Sequence, residues 1–252
     1  MRAIIYFILM LLPCTAAAQV GAAMSKEVGD SAYANGDYQA AIDVYQAILA
    51  DNSVSPEIFY NLGNAYYKTS EIGKAILNYE RALLLDPSDS DIRFNLELAQ
   101  SKAVDKVDDG FQLFLVEWIE GVVNSASMGT WAVTAIVAFV VMLVALLLLF
   151  FGKSIALRKV SMWCSIVALV ITVFANYAAM NHYTRLTSRE MAIIMSPTVT
   201  AKSTPDNSGT NLFEIHEGRK VKISDNSMKE WKEIELEDGT VGWIPSSALE
   251  VI

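Results

Sequence analysis

The sequence predicts a multidomain membrane protein: an all-α repeat domain, two transmembrane helices and a small all-β barrel at the C-terminal end. Three observations predict it. Two uncharged apolar runs, Met128–Phe151 and Ser161–Met180, lie mid-chain, and the nine residues 152–160 between them carry Lys153, Arg158 and Lys159 but no acid. Before the runs, residue types recur at a spacing of 34. After them come short alternating stretches broken by Gly, Pro, Asp and Asn. A helix needs about 20 apolar residues to cross the roughly 30 Å hydrocarbon core. Trp131–Phe151 supplies 21 and Met162–Met180 supplies 19. The 252-residue chain is 53% hydrophobic, and the excess sits in these runs and in the first 18 residues.

The chain begins with Arg2, an apolar stretch from Ile4 to Leu12, and then Ala16, Ala17 and Ala18. That stretch is too short to span, and with small residues after it the pattern predicts a signal peptide over residues 1–18. Two other readings stay open: an uncleaved anchor, and lipid attachment at Cys14, which Pro13 disfavours. Export of the chain from Gln19 makes the first span (128–151) return it to the cytoplasm. The loop 152–160, net +3, agrees with positive-inside orientation. The second span (161–180) leads out again, so both soluble modules are expected on the outer face of the inner membrane, in the periplasm. Net charge is −9, with −6 over residues 19–107 and −3 over 183–252. An acidic exterior argues against nucleic acid, because phosphate neutralisation needs clustered Lys and Arg. Cys164 falls inside the second span, so the soluble parts have no disulfide framework.

Residues 19–107 carry the repeat. Gly29 and Gly63, Tyr33 and Tyr67, Ala41 and Ala75, Ile42 and Ile76, Tyr45 and Tyr79, and Asn61 and Asn95 are each 34 apart. That period marks stacked helix pairs. Small Gly63 and Ala75 let helices approach while Tyr66, Tyr79 and Leu62 fill the gap, and Asp86-Pro87 ends a repeat because proline cannot continue a helix. The segment Phe59-Tyr60-Asn61-Leu62-Gly63-Asn64-Ala65-Tyr66-Tyr67, with Ala75, Tyr79, Ala82 and Pro87, resembles the tetratricopeptide repeat. A third helix from Asp89 keeps Asn95-Leu96 but has Glu97 in place of the glycine, and is expected to cap the array. The resemblance implies that the first helix of each pair lines a peptide- or protein-binding groove. Its candidates are Lys26, Tyr33, Tyr60, Asn61, Asn64, Tyr67 and Asn95, with Asp30 and Ser101 on the same face. Asparagine amides there can meet both groups of a peptide backbone. The bland alternative is that Asn61 and Asn95 only cap and space helices. The family's carboxylate clamp is not matched, since Asp30, Asp91 and Asn95 stand where an Asn, a Lys and an Arg belong.

Residues 108–127 place Phe111, Phe114, Leu115, Trp118, Ile119 and Val122 at helical spacing. They predict an amphipathic juxtamembrane helix, lying in the interface or docking on another membrane protein. In the second span Ser165, Ala168, Ala175 and Ala179 allow close helix contact, and Asn176 is available for a hydrogen bond to the first span or to another chain.

Residues 188–252 read as a small barrel, with Glu237-Asp238-Gly239 as a hairpin turn. Leu212, Gly218, Val221, Trp231, Asp238-Gly239, Gly242-Trp243-Ile244 and Leu249 resemble the bacterial SH3-like domain. Its relatives bind cell-wall peptides, proline-rich segments or proteins. Trp231, Trp243 and Pro245 are the groove candidates here, against the alternative that both tryptophans are core. His216 is expected at the surface. No phosphate loop, metal-ligand cluster or nucleophile elbow stands in the soluble parts, so no catalytic residue, metal or cofactor is expected.

The order of signal peptide, tetratricopeptide repeats, membrane hairpin and SH3-like domain is similar to the BatE family of the Bacteroides aerotolerance (Bat) system, as is Asp91-Ile92-Arg93-Phe94-Asn95-Leu96-Glu97 leading into the acidic join. That resemblance implies membrane-anchored von Willebrand factor A proteins and a MoxR-type ATPase as partners. It also implies a scaffold role in envelope stress or aerotolerance. A cell-wall sensor binding peptidoglycan and a chaperone-like peptide binder remain the alternatives.

Overall fold

The computed structural model describes residues 26–51, 53–105 and 114–252. The signal-peptide segment lies outside them, as do Phe111 and the acidic join from residue 106.

Five helices open the described chain: α1 (residues 26–34), α2 (Tyr38–Ala50), α3 (Pro56–Lys68), α4 (Ile72–Leu85) and α5 (Ser90–Gln100). Their starts follow from capping chemistry. Asp37 accepts from the Ala40 N–H, Ser55 from Ile58 ahead of Pro56 at the first turn, and Asp89 from both Asp91 and Ile92. Gly36, at φ 81°, makes the turn between α1 and α2. The spacing of 34 has a steric cause. A Cβ on Gly29 would stand 2.6 Å from Tyr45 Cε1, and one on Gly63 2.7 Å from Tyr79 Cε1. Each glycine admits the tyrosine ring of the second helix of its pair. Around these rings Ala41, Ile42, Leu62, Ala75 and Ile76 form one buried core.

Helix α6 (Phe114–Val123) leads to α7 (Met128–Phe151) and α8 (Ile155–Ser188). At 1.5 Å per residue the 24-residue α7 is about 36 Å long and the 34-residue α8 about 51 Å. Both are long and apolar enough to cross a membrane. They pack as an antiparallel hairpin through small side chains: Ala135, Ala138 and Ala145 on α7 against Ser165, Ala168, Ala175 and Ala178 on α8. Large apolar residues such as Ile136, Leu147 and Val170 point outward instead. The connection is shorter than the expected loop 152–160. Ser154 starts α8, so Arg158 and Lys159 are helical, and Arg158 Nε donates to the Leu149 carbonyl at 3.0 Å, capping the end of α7. Asn176 does not reach across. It donates to the Thr172 carbonyl of its own helix at 2.8 Å, the nearest acceptor for an exposed amide. At the other end of the hairpin the last carbonyl of α6, Val123, accepts Trp131 Nε1–H at 2.8 Å and lies 3.0 Å from His182 Nε2.

Seven strands form one antiparallel sheet in the order β3-β2-β6-β5-β4-β1-β7. They are β1 (Met191–Ile194), β2 (Thr198–Lys202), β3 (Asn211–His216), β4 (Lys220–Asp225), β5 (Trp231–Glu235), β6 (Val241–Pro245) and β7 (Leu249–Val251). The β5–β6 turn uses Gly239 at φ 81°. Ala192, Ile194, Ala201, Ile215, Val221, Ile223, Ile234 and Ile244 make its core. Strand β1 alternates between two cores, because Ile193 faces the other way and joins the helical one.

The sheet therefore sits on the repeat. Met195 and Ile252 pack with Ile193 against the helical core. Lys220 Nζ is 2.7 Å from Glu80, Arg81 donates to Glu250 at 3.0 Å and to the Val251 carbonyl at 2.6 Å, and Gly73 N–H donates to Glu217 at 3.0 Å. His216 is not a free surface residue. Its Nδ1 lies 2.8 Å from Asp105, and its N–H donates to the same carboxylate at 2.7 Å. The contacts fall on α4 and beyond α5, which leaves α1 and α3 facing elsewhere.

Candidate functional site

The first helices α1, α3 and α5 present the expected groove residues along one face. Two cavities lie there. One of about 310 Å³ is lined by Lys26, Asp30, Tyr33, Tyr45, Glu57, Asn61 and Asn64. The other, about 280 Å³, is lined by Tyr33, Tyr60, Asn64, Tyr67, Lys68, Tyr79, Asn95 and Leu98. Tyr33 and Asn64 belong to both, so the two are halves of one groove. All seven sequence-derived candidates line it.

A hydrogen-bond pattern repeats within the groove with the period of the sequence. Tyr45 OH donates to Asp30 Oδ1 at 2.7 Å, and Asn61 Nδ2 donates to the same oxygen at 3.0 Å. One repeat later Tyr79 OH donates to Asn64 Oδ1 at 2.7 Å, and Asn95 Nδ2 donates to that oxygen at 3.1 Å. Each pattern joins a second-helix tyrosine, an Asx on the first helix and an asparagine of the next first helix. Asn61 and Asn95 thus tie neighbouring repeats together, a structural role of the kind the bland alternative gives them. Asn95 Nδ2 also reaches Tyr60 OH at 2.8 Å. Among the described residues Asn64 Nδ2 and the Oδ1 atoms of Asn61 and Asn95 keep no partner. That leaves one donor and two acceptors, on side chains lining the groove, of the kinds a peptide backbone pairs with.

Charge sits at the α1 end. Lys26 Nζ bridges Asp30 at 2.8 Å and Glu57 at 2.7 Å. Burial works to raise the Asp30 carboxyl, but bonds from Lys26, Tyr45 and Asn61 outweigh it and hold the group below its ordinary value. The bonds to Asp30 and Glu57 hold the Lys26 ammonium above its ordinary value. Burial raises the hydroxyls of Tyr45, Tyr79 and Tyr33, so they stay donors across neutral pH. At the other end Lys102 Nζ lies 4.3 Å from the Tyr67 ring centroid, a cation–π contact.

The sequence reading did not place Tyr45, Tyr79 and Glu57 in the groove. The sequence reading gives Tyr79 a gap-filling role and Tyr45 only a place in the repeat, and both rings lie in the core. Their hydroxyls pass through to the groove because each ring slides over a glycine. Their spacing of 15 from Asp30 and Asn64 is the signal that could have found them.

On the sheet, strand register decides the tryptophans. Trp231 pairs with Pro245 and Glu233 with Trp243, while Lys232 pairs with Ile244 and Ile234 with Gly242. Ile234 and Ile244 face the core, so Trp231, Trp243 and Pro245 share the opposite face, half-exposed, with Lys202 beside Trp243. The core alternative does not hold for either ring.

Among the described residues no group of three or more His, Cys, Asp or Glu is arranged to hold a metal ion.

The tetratricopeptide repeat family model matches residues 26–92, from α1 into α5, and this region is tetratricopeptide-repeat in kind. No curated protein matches the chain. Two solved structures, titled "Crystal structure of MamA protein" and "Crystal structure of MamA", are each 15% identical. The first covers 66% of this chain and 90% of its own, with a TM-score of 0.30. The second covers 64% and 96%, with a TM-score of 0.28. At that level the likeness supports neither a function nor a partner.

Proposed function

We propose that the chain is a non-enzymatic protein-interaction scaffold anchored in the inner membrane by α7 and α8, with its repeat and its sheet in the periplasm. The observation that carries this reading is the groove itself: two cavities joined through Tyr33 and Asn64, lined by amide and phenol groups with unused hydrogen-bonding capacity. Tetratricopeptide repeats mediate protein contacts, and such a groove suits an extended segment of a partner. The anchor reading is supported by the outward-facing Ile136, Leu147, Val170 and their neighbours on α7 and α8, an apolar surface that lipid would cover. In the Bat-type reading the sheet is an SH3-like barrel, the partners are von Willebrand factor A membrane proteins with a MoxR-type ATPase, and the complex serves envelope stress or aerotolerance.

The test is capture of partners from solubilised membranes by the tagged full chain. Tyr33→Ala with Tyr67→Ala should reduce recovery of von Willebrand-type proteins about tenfold, as expected when two aromatic anchors are lost. Recovery equal to that of the unaltered chain sinks the groove as the dock. A second reading is favoured by the shared outer face of Trp231, Trp243 and Pro245, which would suit cell-wall peptides. The full chain in detergent should then sediment with purified wall, and Trp231→Ala with Trp243→Ala should abolish it. No sedimentation of the unaltered chain rejects that role.

A further inference from the structure

The chain as a whole is acidic, at −9, yet one cavity reverses the sign. It holds about 500 Å³ and opens where α4, α5, α6 and the end of α8 meet the start of β1 and of β4. Arg93, Arg185, Arg189 and Lys220 line it, against Glu80 and Glu190. Lys220 is neutralised by Glu80 at 2.7 Å. Among the described residues Arg93 is held by a neutral acceptor alone, the Pro87 carbonyl, at 2.7 Å. Arg185 reaches Asn124 Oδ1 at 3.4 Å and meets Glu120 at the loose distance of 3.8 Å. Three guanidinium groups thus share one space with a single further carboxylate, Glu190, in its wall. Leu83, Leu84, Met191 and Ile252 add apolar surface to the wall, and Asn124, Thr184 and Ser188 add neutral polar groups.

A wall that combines guanidinium groups with apolar side chains fits an amphiphile better than a simple ion. Its height agrees. The apolar run of α8 ends at Met180, and Arg185 is five residues on, about 7.5 Å along the axis. The headgroup layer adds roughly 5–8 Å on each side of the hydrocarbon core. Guanidinium groups at that depth meet lipid phosphates, which they bind in forked geometry.

We propose that this junction cavity binds the phosphate diester of an anionic phospholipid from the leaflet at the C-terminal end of α8. The lipid would sit beneath the seam of repeat, hairpin and sheet. The proposal rests on the reading of α7 and α8 as membrane-spanning.

The full chain, purified in detergent, is examined by native mass spectrometry with phosphatidylglycerol, phosphatidylcholine, glycerol phosphate and inorganic phosphate as separate probes. Flotation of the same protein with liposomes is measured in parallel. The expected result is phosphatidylglycerol retained roughly tenfold over phosphatidylcholine, a preference lost in Arg185→Gln with Arg189→Gln and largely kept in Arg185→Lys with Arg189→Lys. Both arginines are exposed, so the circular dichroism of these variants should be unchanged. Undiminished preference in the glutamine variant overturns the site. Binding of glycerol phosphate or inorganic phosphate equal to that of phosphatidylglycerol makes it a soluble phosphate site and overturns the lipid assignment. Failure to float removes the membrane reading and the lipid site together. Flotation with undiminished binding by the glutamine variant removes the lipid site alone.

Discussion

Replacing Gly63 with alanine sets two opposing effects against each other. In an exposed helix interior the change stabilises by about 1 kcal/mol, because alanine has the better helix propensity. In α3 the new Cβ would stand 2.7 Å from Tyr79 Cε1, 2.8 Å from Cδ1 and 3.3 Å from the Ala75 carbonyl oxygen. Tyr79 cannot swing aside. It is 1% exposed, and its hydroxyl is bonded to Asn64 at 2.7 Å. Over-packing of this kind costs about 1–3 kcal/mol. After the propensity gain the net effect is a loss of up to about 2 kcal/mol. Gly121 in α6 is the control, since a Cβ there meets nothing within 4 Å and Gly121→Ala should stabilise by about 1 kcal/mol. Native-state hydrogen exchange on the full chain in detergent reads each helix separately. Amides of α3 and α4 should exchange faster in Gly63→Ala, and those of α6 more slowly in Gly121→Ala. Slower exchange in α3 and α4 of Gly63→Ala would refute the account of why the glycines and tyrosines repeat together.

Two further outcomes follow from the charges. The Asp30 carboxyl is held below its ordinary value of 3.8, so its contribution is complete above that value and drains away as pH falls through the lower, folded one. Urea midpoints of the repeat should fall below about pH 4 and do so less in Asp30→Asn, and equal slopes would show that the bonds to Asp30 add nothing. Lys220→Met strands Glu80, which is 7% exposed, at the seam between repeat and sheet. The loss should be about 3 kcal/mol, seen as faster proteolysis of the sheet from the full chain, whereas unchanged proteolysis would mean the seam does not depend on the pair.

The repeat was legible because its determinants are local and periodic: a glycine, a tyrosine and the alanine between them recur together. The alternating runs likewise announce strands, since a half-buried strand writes its two faces into every second residue. What the sequence hides is depth and long range. Whether Trp231 and Trp243 face inward depends on the pairing of β5 with β6, which alternation alone leaves open by one residue. The docking of sheet on repeat rests on pairs such as Glu80 with Lys220 and Asp105 with His216, separated by 140 and 111 residues. Single charges at such separations carry no pattern. The connection between α7 and α8 was overestimated for a related reason. Basic residues look like loop, yet Arg158 and Lys159 occupy the first turns of a helix where one of them caps its neighbour.

The rungs of tyrosine, Asx and asparagine do not continue into the last helix. The positions that hold Asp30 and Asn64 in the first two rungs hold Leu98 in the third, and the position of Tyr60 holds Phe94. Leu98 is 40% exposed and Phe94 65%. The groove therefore changes along its length: an ion-paired end at Lys26 and Glu57, an amide-lined middle, and a far end where Leu98 stands beside Lys68. A symmetric trough would accept a segment in either orientation. In the proposed scaffold role this one would distinguish head from tail, and a partner segment with an apolar residue at one end and a charged one at the other would enter in a single direction.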